Sequence, residues 1–236
     1  MIRIVLGSLM AGILAAAAVA QPAPQKPATI LLIGANGMIG SRILAEAVSR
    51  GHHVIAASRQ PEKIAAGPNI EPVKLDATDT QAVTAAARRA DVIVLATSPR
   101  GGGDPLAEEK AVADSVMAAA KAAGKRLIVV GGAGSLNLPD GRPVIDTLPP
   151  ALAHGEALAL RNVLDALKAS DLDWTFVSPA MAIAPGAHTG VYRTGTSTVL
   201  SDDKGVSRIS AEDFADALVG ELENPAHRRG QMTVAY

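Results

Sequence analysis

The chain has 236 residues, 48% of them apolar and 19% charged, with a formal net charge of −1. That composition is enough for one sizeable core. The near-neutral balance and 2% aromatic content provide neither the basic groove nor the stacking platforms of a nucleic-acid binder. With no cysteine, the chain has no disulfides, thiolate nucleophiles, iron–sulfur clusters or zinc–thiolate sites.

The N-terminus has the pattern of a secretory signal. Arg3 precedes an apolar stretch from Ile4 to Ala20, and Ala18-Val19-Ala20 is a small-x-small cleavage pattern before Gln21. Residues 1–20 are therefore expected to be a cleaved signal peptide. Residues 21–28, with Pro22, Pro24 and Pro27, are expected to form an extended linker, and 29–236 one folded domain. Cleavage implies a periplasmic or secreted protein, whereas a segment that is not a signal implies a cytoplasmic one. No later stretch approaches the ~18 apolar residues that span a bilayer.

From Thr29 onward, short apolar runs alternate with helical patterns. Strands are expected at Thr29–Ile33, Val54–Ala57, Ile70–Leu75, Val92–Ala96, Arg126–Val130 and Trp174–Val177. Their nearly continuous apolar character is that of parallel strands buried on both faces. Between them the periodicity predicts five helices. The first runs from Met38 to about Arg50, with Gly51 as its left-handed stop. The second opens on a Thr78-x-x-Gln81 capping box and ends at Arg89. The third spans Pro105 to Ala123, and the fourth, Leu152 to Ala169, carries Leu160, Val163, Leu164 and Leu167 on one face. The fifth starts at Ser210 and ends at Asn224-Pro225. Residues 181–208, richer in Gly, Thr and Ser, are expected to form a loop-rich insertion near the substrate side. Such alternation requires parallel crossovers and predicts a Rossmann-type three-layer α/β sandwich.

The stretch Gly34-Ala35-Asn36-Gly37-Met38-Ile39-Gly40 follows an apolar strand and opens a helix, the context a dinucleotide fingerprint requires. Gly34 permits the tight turn, Gly37 removes a Cβ where pyrophosphate approaches, and Gly40 allows close helix–sheet packing. The helix N-terminus at Asn36, Met38 and Ile39 offers backbone N–H groups to phosphate. About 20 residues on, the second strand ends in Ser58-Arg59, where NAD binders usually place an acid. Arg59 can fork onto a ribose 2′-phosphate and Ser58 can donate to it, so NADP(H) is expected over NAD(H). A solvated charge is the plainer reading of Arg59. Asp76 and Ala77 are placed to flank the adenine, although Asp76 serves equally as a helix cap. Ala96, Thr97 and Ser98 end the fourth strand at the nucleotide edge.

The acid–base constellation of common dehydrogenases is missing: Tyr192 is followed four residues later by Thr196, so there is no Tyr-x-x-x-Lys pair. The five histidines show no ligand spacing, and no metal is expected. Ser135 and His154 are the catalytic candidates, with Glu156 as a residue for placing substrate. Hydride transfer to a flavin or quinone needs mainly proximity and orientation, which suits such a site.

These segments resemble the atypical short-chain dehydrogenase/reductase family of NAD(P)H-binding NADH-flavin reductases, similar to biliverdin reductase B and NmrA-like proteins. The resemblance rests on the fingerprint, on Val129-Val130-Gly131-Gly132-Ala133-Gly134-Ser135-Leu136, on Asp173 to Ala180, and on the tail from Phe214 to Tyr236. It implies that the glycines, Arg59 and Asp76 contact the dinucleotide. It further places Thr97 and Ser98 toward the ribose and nicotinamide, and Ser178, Pro179 and Ala180 near the nicotinamide amide. One departure is that Gly132 or Ala133 stands where biliverdin reductase B has serine, with Ser135 displaced. Three functions follow: a reductase of a flavin-like or quinone-like acceptor, a catalytically silent NADP-binding sensor, and, more weakly, a sugar epimerase or dehydratase.

Overall fold

A computed structural model describes residues 26–99 and 102–236, the side chains at 152–154 excepted. The signal-like segment 1–20 and residues 21–25 of the linker lie outside the described residues.

The elements run β1 (Thr29–Ile33), α1 (Met38–Ser49), β2 (His53–Ser58), β3 (Ile70–Lys74), α2 (Thr80–Arg88), β4 (Val92–Leu95), α3 (Pro105–Ala123) and β5 (Arg126–Val130). There follow α4 (Pro150–Leu152), a π-turn at Ala153–Ala157, α5 (Leu158–Lys168), β6 (Trp174–Pro179), β7 (Ala182–Ala184), β8 (Arg193–Gly195), β9 (Arg208–Ser210), α6 (Ala211–Glu223) and β10 (Gly230–Ala235). The main sheet has eight strands in the order β3-β2-β1-β4-β5-β6-β10-β8, parallel except for β8, which pairs antiparallel with β10. β7 and β9 form a separate parallel pair.

The apolar runs divide between two cores by strand alternation. Ile30 and Leu32 of β1 pack with Ile43, Leu44 and Ala47 of α1 and Phe214 and Leu218 of α6. Leu31 and Ile33 face the other way, onto Val83 and Ala87 of α2, Val116 of α3 and Leu164 and Leu167 of α5. A fully buried Leu or Ile contributes roughly 1.5–3 kcal/mol, so burial on both faces strongly fixes the position of these strands. The chain leaves β1 in one direction to β2 and β3, then returns to β4 on the other side. This reversal opens a crevice at the carboxyl ends of β1 and β4, where ligands of doubly wound sheets lie.

Four expectations need correction. The Thr78-x-x-Gln81 capping box does not form: Asp79 is the cap of α2, accepting from the backbone N–H of Gln81 and Ala82. Thr78 instead donates its N–H and hydroxyl to Asp76 Oδ1 at 3.0 and 2.8 Å, because a short Asx turn satisfies that carboxylate locally. The single helix expected from Leu152 is interrupted by the π-turn, where Gly155 adopts φ −103°, ψ −125°. The stretch 181–208 contributes strands, β8 even extending the main sheet, and β10 joins that sheet without having been anticipated. β10 is buried between β6 and β8, and its polar Gln231 and Thr233 broke the apolar pattern. Among the described residues no helix is long and apolar enough to cross a membrane.

Candidate functional site

A cleft of about 800 Å³ lies along the carboxyl edge of the sheet, crossing the ends of β1, β2, β4 and β5 and bounded by α3 and the π-turn. At its centre the chain leaves β1 through Gly34, whose φ of +91° favours glycine. A Cβ on Gly34 would sit 2.5 Å from the Ala96 carbonyl oxygen, and one on Gly40 would overlap the Gly34 carbonyl oxygen. These close approaches press α1 against the sheet and aim its N-terminus at the cleft. Gly37 caps α1 with no side-chain hydrogen bond, and no acid occupies the first turn. The first-turn N–H groups and the positive end of the helix dipole therefore face the cleft with no acid of their own first turn competing for them.

Of the residues expected to hold a dinucleotide, Gly34, Asn36, Gly37, Met38, Ile39, Ser58, Arg59, Asp76, Ala77, Ala96, Thr97 and Ser98 all line this cleft. Gly40 lies beneath it as a packing residue. Arg59 is exposed at the end of β2 beside Asp76. Two hydrogen bonds from Thr78, with the Arg59 charge nearby, hold the Asp76 carboxyl below its ordinary value. Ser58 Oγ accepts from the Gln60 N–H at 3.0 Å, which shapes the turn carrying Arg59. Thr97 Oγ1 is buried in the lining and has no hydrogen-bond partner, a donor and acceptor that a ligand would satisfy.

Ser178, Pro179 and Ala180 are brought close to Ser135 but not into the cleft lining; all three are buried at the end of β6. Ser178 Oγ lies 2.9 Å from Ser135 Oγ, and Gln231 Nε2 donates to both hydroxyls at 2.9 and 3.0 Å. Ser135 also meets its own turn, its hydroxyl 2.7 Å from the Gly132 carbonyl oxygen. The network fastens the loop after β5 to β6 and β10. The backbone of His154 lies in the π-turn, and its side chain lies outside the described residues.

The far end of the cleft brings Glu156, expected to place substrate, and Gly131 of the glycine-rich segment together with Pro99, Glu109, Val112 and Leu160, which were not expected there. Gly131, Glu156 and Leu160 line it from one side, and Pro99, Glu109 and Val112 from the other. The Glu109 side chain is 2% exposed, and its Oε1 has no hydrogen-bond partner. Burial, reinforced by the nearby Glu156 and Glu108 carboxylates, pushes Glu109 up to about 7. One sequence signal did point there. Glu109 continues the buried stripe Ala113, Val116 and Ala120 along α3, a position where a carboxylate is out of place.

The grouping Glu46, His188 and Asp216, outside the cleft lining, has metal-like spacing. Arg50 donates to both carboxylates, to Glu46 at 2.6 Å, and places its own charge where a cation would sit.

A parallel sheet in this order, with an uncapped helix facing a glycine-lined switch-point cleft, defines a Rossmann dinucleotide-binding protein. Residues 34–225 match the model of a family described as NAD(P)H-binding, and the chain belongs to that family. Among solved structures it is similar to a candidate exported protein of Burkholderia pseudomallei, at 42% identity and TM-score 0.79, covering 89% of this chain and 100% of that one. It is also similar to a candidate epimerase of Bacteroides thetaiotaomicron, with 36% identity, TM-score 0.82, and coverage of 89% and 98%. A third similarity is to a candidate NADH-flavin reductase of Streptococcus pneumoniae, with 30% identity, TM-score 0.74, and coverage of 88% and 99%. Recognition of the family and of an oxidoreductase-like, NAD(P)H-binding fold is thereby secured.

Proposed function

We propose that the protein is an NADPH-dependent reductase that passes hydride to a flavin-like or quinone-like acceptor. The observation that carries this reading is the continuity of one cleft. It runs from Arg59 and Asp76, past the α1 N-terminus, to a further chamber between Val112 and Leu160. The first part, with the bare α1 N-terminus at its centre, would take the dinucleotide and leave the second for a planar partner held against the nicotinamide. When bound, the cofactor would supply the hydride. The chain's residues would hold its two phosphates on the α1 N-terminus, its adenine beside Asp76 and Ala77, and its 2′-phosphate on Arg59 and Ser58. Thr97 Oγ1 would find its missing partner on the ribose or nicotinamide. Ser178, Pro179 and Ala180 would act from behind the lining by fixing Ser135 and the Gly131–Gly134 loop. The S. pneumoniae relative, by the activity in its name, supports the acceptor class.

The small-x-small site after Ala20 and the relative described as exported support a second part of the reading. In it, residues 1–20 are a cleaved signal, 21–28 a tether, and the domain acts outside the cytoplasm.

The test is equilibrium titration with NADPH and NADH, followed by NADPH oxidation with free flavin and with a short-chain quinone. Tighter NADPH binding with turnover is expected. Binding without turnover on either acceptor would replace the reductase reading by that of an NADP sensor.

A further inference from the structure

The α3 wall of the cleft carries a carboxyl group that is nearly sealed from solvent although it lines the cleft. Glu109 is 2% exposed, and its Oε1 is buried without a hydrogen-bond partner. An unpartnered buried polar atom in a packed helix face costs stability and calls for a functional explanation. The surroundings select the neutral form of this group. Glu108, on its own helix, and Glu156, on the facing π-turn, both act on it through space, and among the described residues no cation opposes them. A neutral carboxyl is an O–H donor, and this one stands in the lining that Leu160 and Gly131 share.

We propose that Glu109 is the acid of this site, delivering its proton to an uncharged acceptor of the quinone or isoalloxazine class as that acceptor is reduced. The inference rests on the reductase reading and deepens it. The balance is simple. Both electrons reach the acceptor with the hydride from the dihydronicotinamide, leaving negative charge on an acceptor oxygen or nitrogen. The Glu109 O–H bond breaks as the acceptor's O–H or N–H bond forms, and the carboxylate regains its proton from solvent. Three carboxyl groups at this end of the cleft, Glu108, Glu109 and Glu156, disfavour an acceptor that carries its own anionic group there.

The position of the group between proton-bound and proton-free forms suits this task. Its value of about 7 lets it give a proton and recover it near neutral pH. Activity should therefore fall as pH rises through that value. Removing the Glu156 charge should move the fall to lower pH, because one of the charges that favour the protonated form is gone.

The experiment uses the full chain, NADPH and a short-chain uncharged quinone. Glu109→Gln should leave NADPH affinity unchanged by fluorescence titration while lowering kcat about 100-fold, in the range for loss of a general acid. Infrared difference spectra, recorded without cofactor, should show a neutral-carboxyl band just below the value of about 7 that the variant lacks. Glu156→Gln, which leaves Glu109 in place, should shift the alkaline limb of the wild-type profile downward. A Glu109→Gln kcat within about twofold of wild type, too small for a lost proton donor, would overturn the proposal, as would a missing band or an unmoved limb. No turnover by the wild-type protein would instead overturn the reductase reading and take this inference with it.

Discussion

The β1–α1–β2 side of the cleft and the region from β6 to β10, which lies outside the cleft lining, are built on different principles. In the first, backbone does the work: Gly34 turns sharply, Gly40 lets α1 close on the sheet, and Gly37 leaves the helix N-terminus bare. The close contacts of Gly34, Gly37 and Gly40 come from neighbours in sequence or from the end of β4, the strand paired with β1. In the second, side chains from distant segments hold loops in place. Asp213, fully buried at the start of α6, accepts from the Thr189 N–H and hydroxyl at 2.7 and 2.6 Å, from the Gly190 N–H at 2.9 Å and from the Tyr236 hydroxyl at 2.7 Å. Glu212 holds the Gly186 N–H at 2.7 Å, and Gln231 ties Ser135 to Ser178. A generic backbone cradle thus stands beside a C-terminal region assembled by specific side chains. Damage to the two should look different.

The sharpest separation should come from Gly37→Val. Its φ of −72° suits valine, while the Cβ, a tight 3.2 Å from the Gly34 carbonyl oxygen, costs some stability and the side chain fills the space over the helix N-terminus. A loss of affinity for both cofactors of roughly a thousandfold, about 4 kcal/mol, is expected in a titration, with a cooperative unfolding transition retained at a slightly lower midpoint. Retained affinity would erase the distinction. Next in size is Asp213→Asn, which should do the reverse. Losing a buried carboxylate with four donors should cost about 3 kcal/mol in denaturant unfolding and leave dinucleotide affinity near wild type. Burial alone would raise Asp213, but its hydrogen bonds outweigh burial and hold it below its ordinary value of 3.8. Its contribution is therefore complete above that value and lost as pH falls through the lower folded one. The variant should lack this acid-side loss in stability-versus-pH curves. The smallest effect tests the edge of the first half. Arg59→Ala should weaken NADPH by about 2 kcal/mol, roughly 30-fold, and NADH scarcely at all, since only NADPH offers the 2′-phosphate. Equal losses would remove the assigned role of Arg59.

The same contrast decides what could be read from the sequence. The strands β1, β4 and β5 and the fingerprint were legible because burial on both faces and a glycine turn leave local signatures. The Asp79 cap went to the wrong residue because Thr78 and Asp79 are both good caps, and only the Asx turn at Asp76 decides between them. β10 was hidden because its polar Gln231 and Thr233 are buried, Gln231 on the hydroxyls of Ser135 and Ser178, and not surface residues. Glu109 was visible only as an acid in phase with an apolar stripe. Its burial and the nearby charge of Glu156, nearly fifty residues away, come from tertiary packing that spacing alone could not reveal.

The most direct test of the central claim is a paired titration of the full chain with NADPH and NADH, continued into NADPH oxidation with flavin and quinone. The account predicts tighter binding of NADPH and turnover that requires an acceptor. Absence of binding to either dinucleotide would contradict the assignment of the cleft itself, and equal binding of the two would contradict its selectivity.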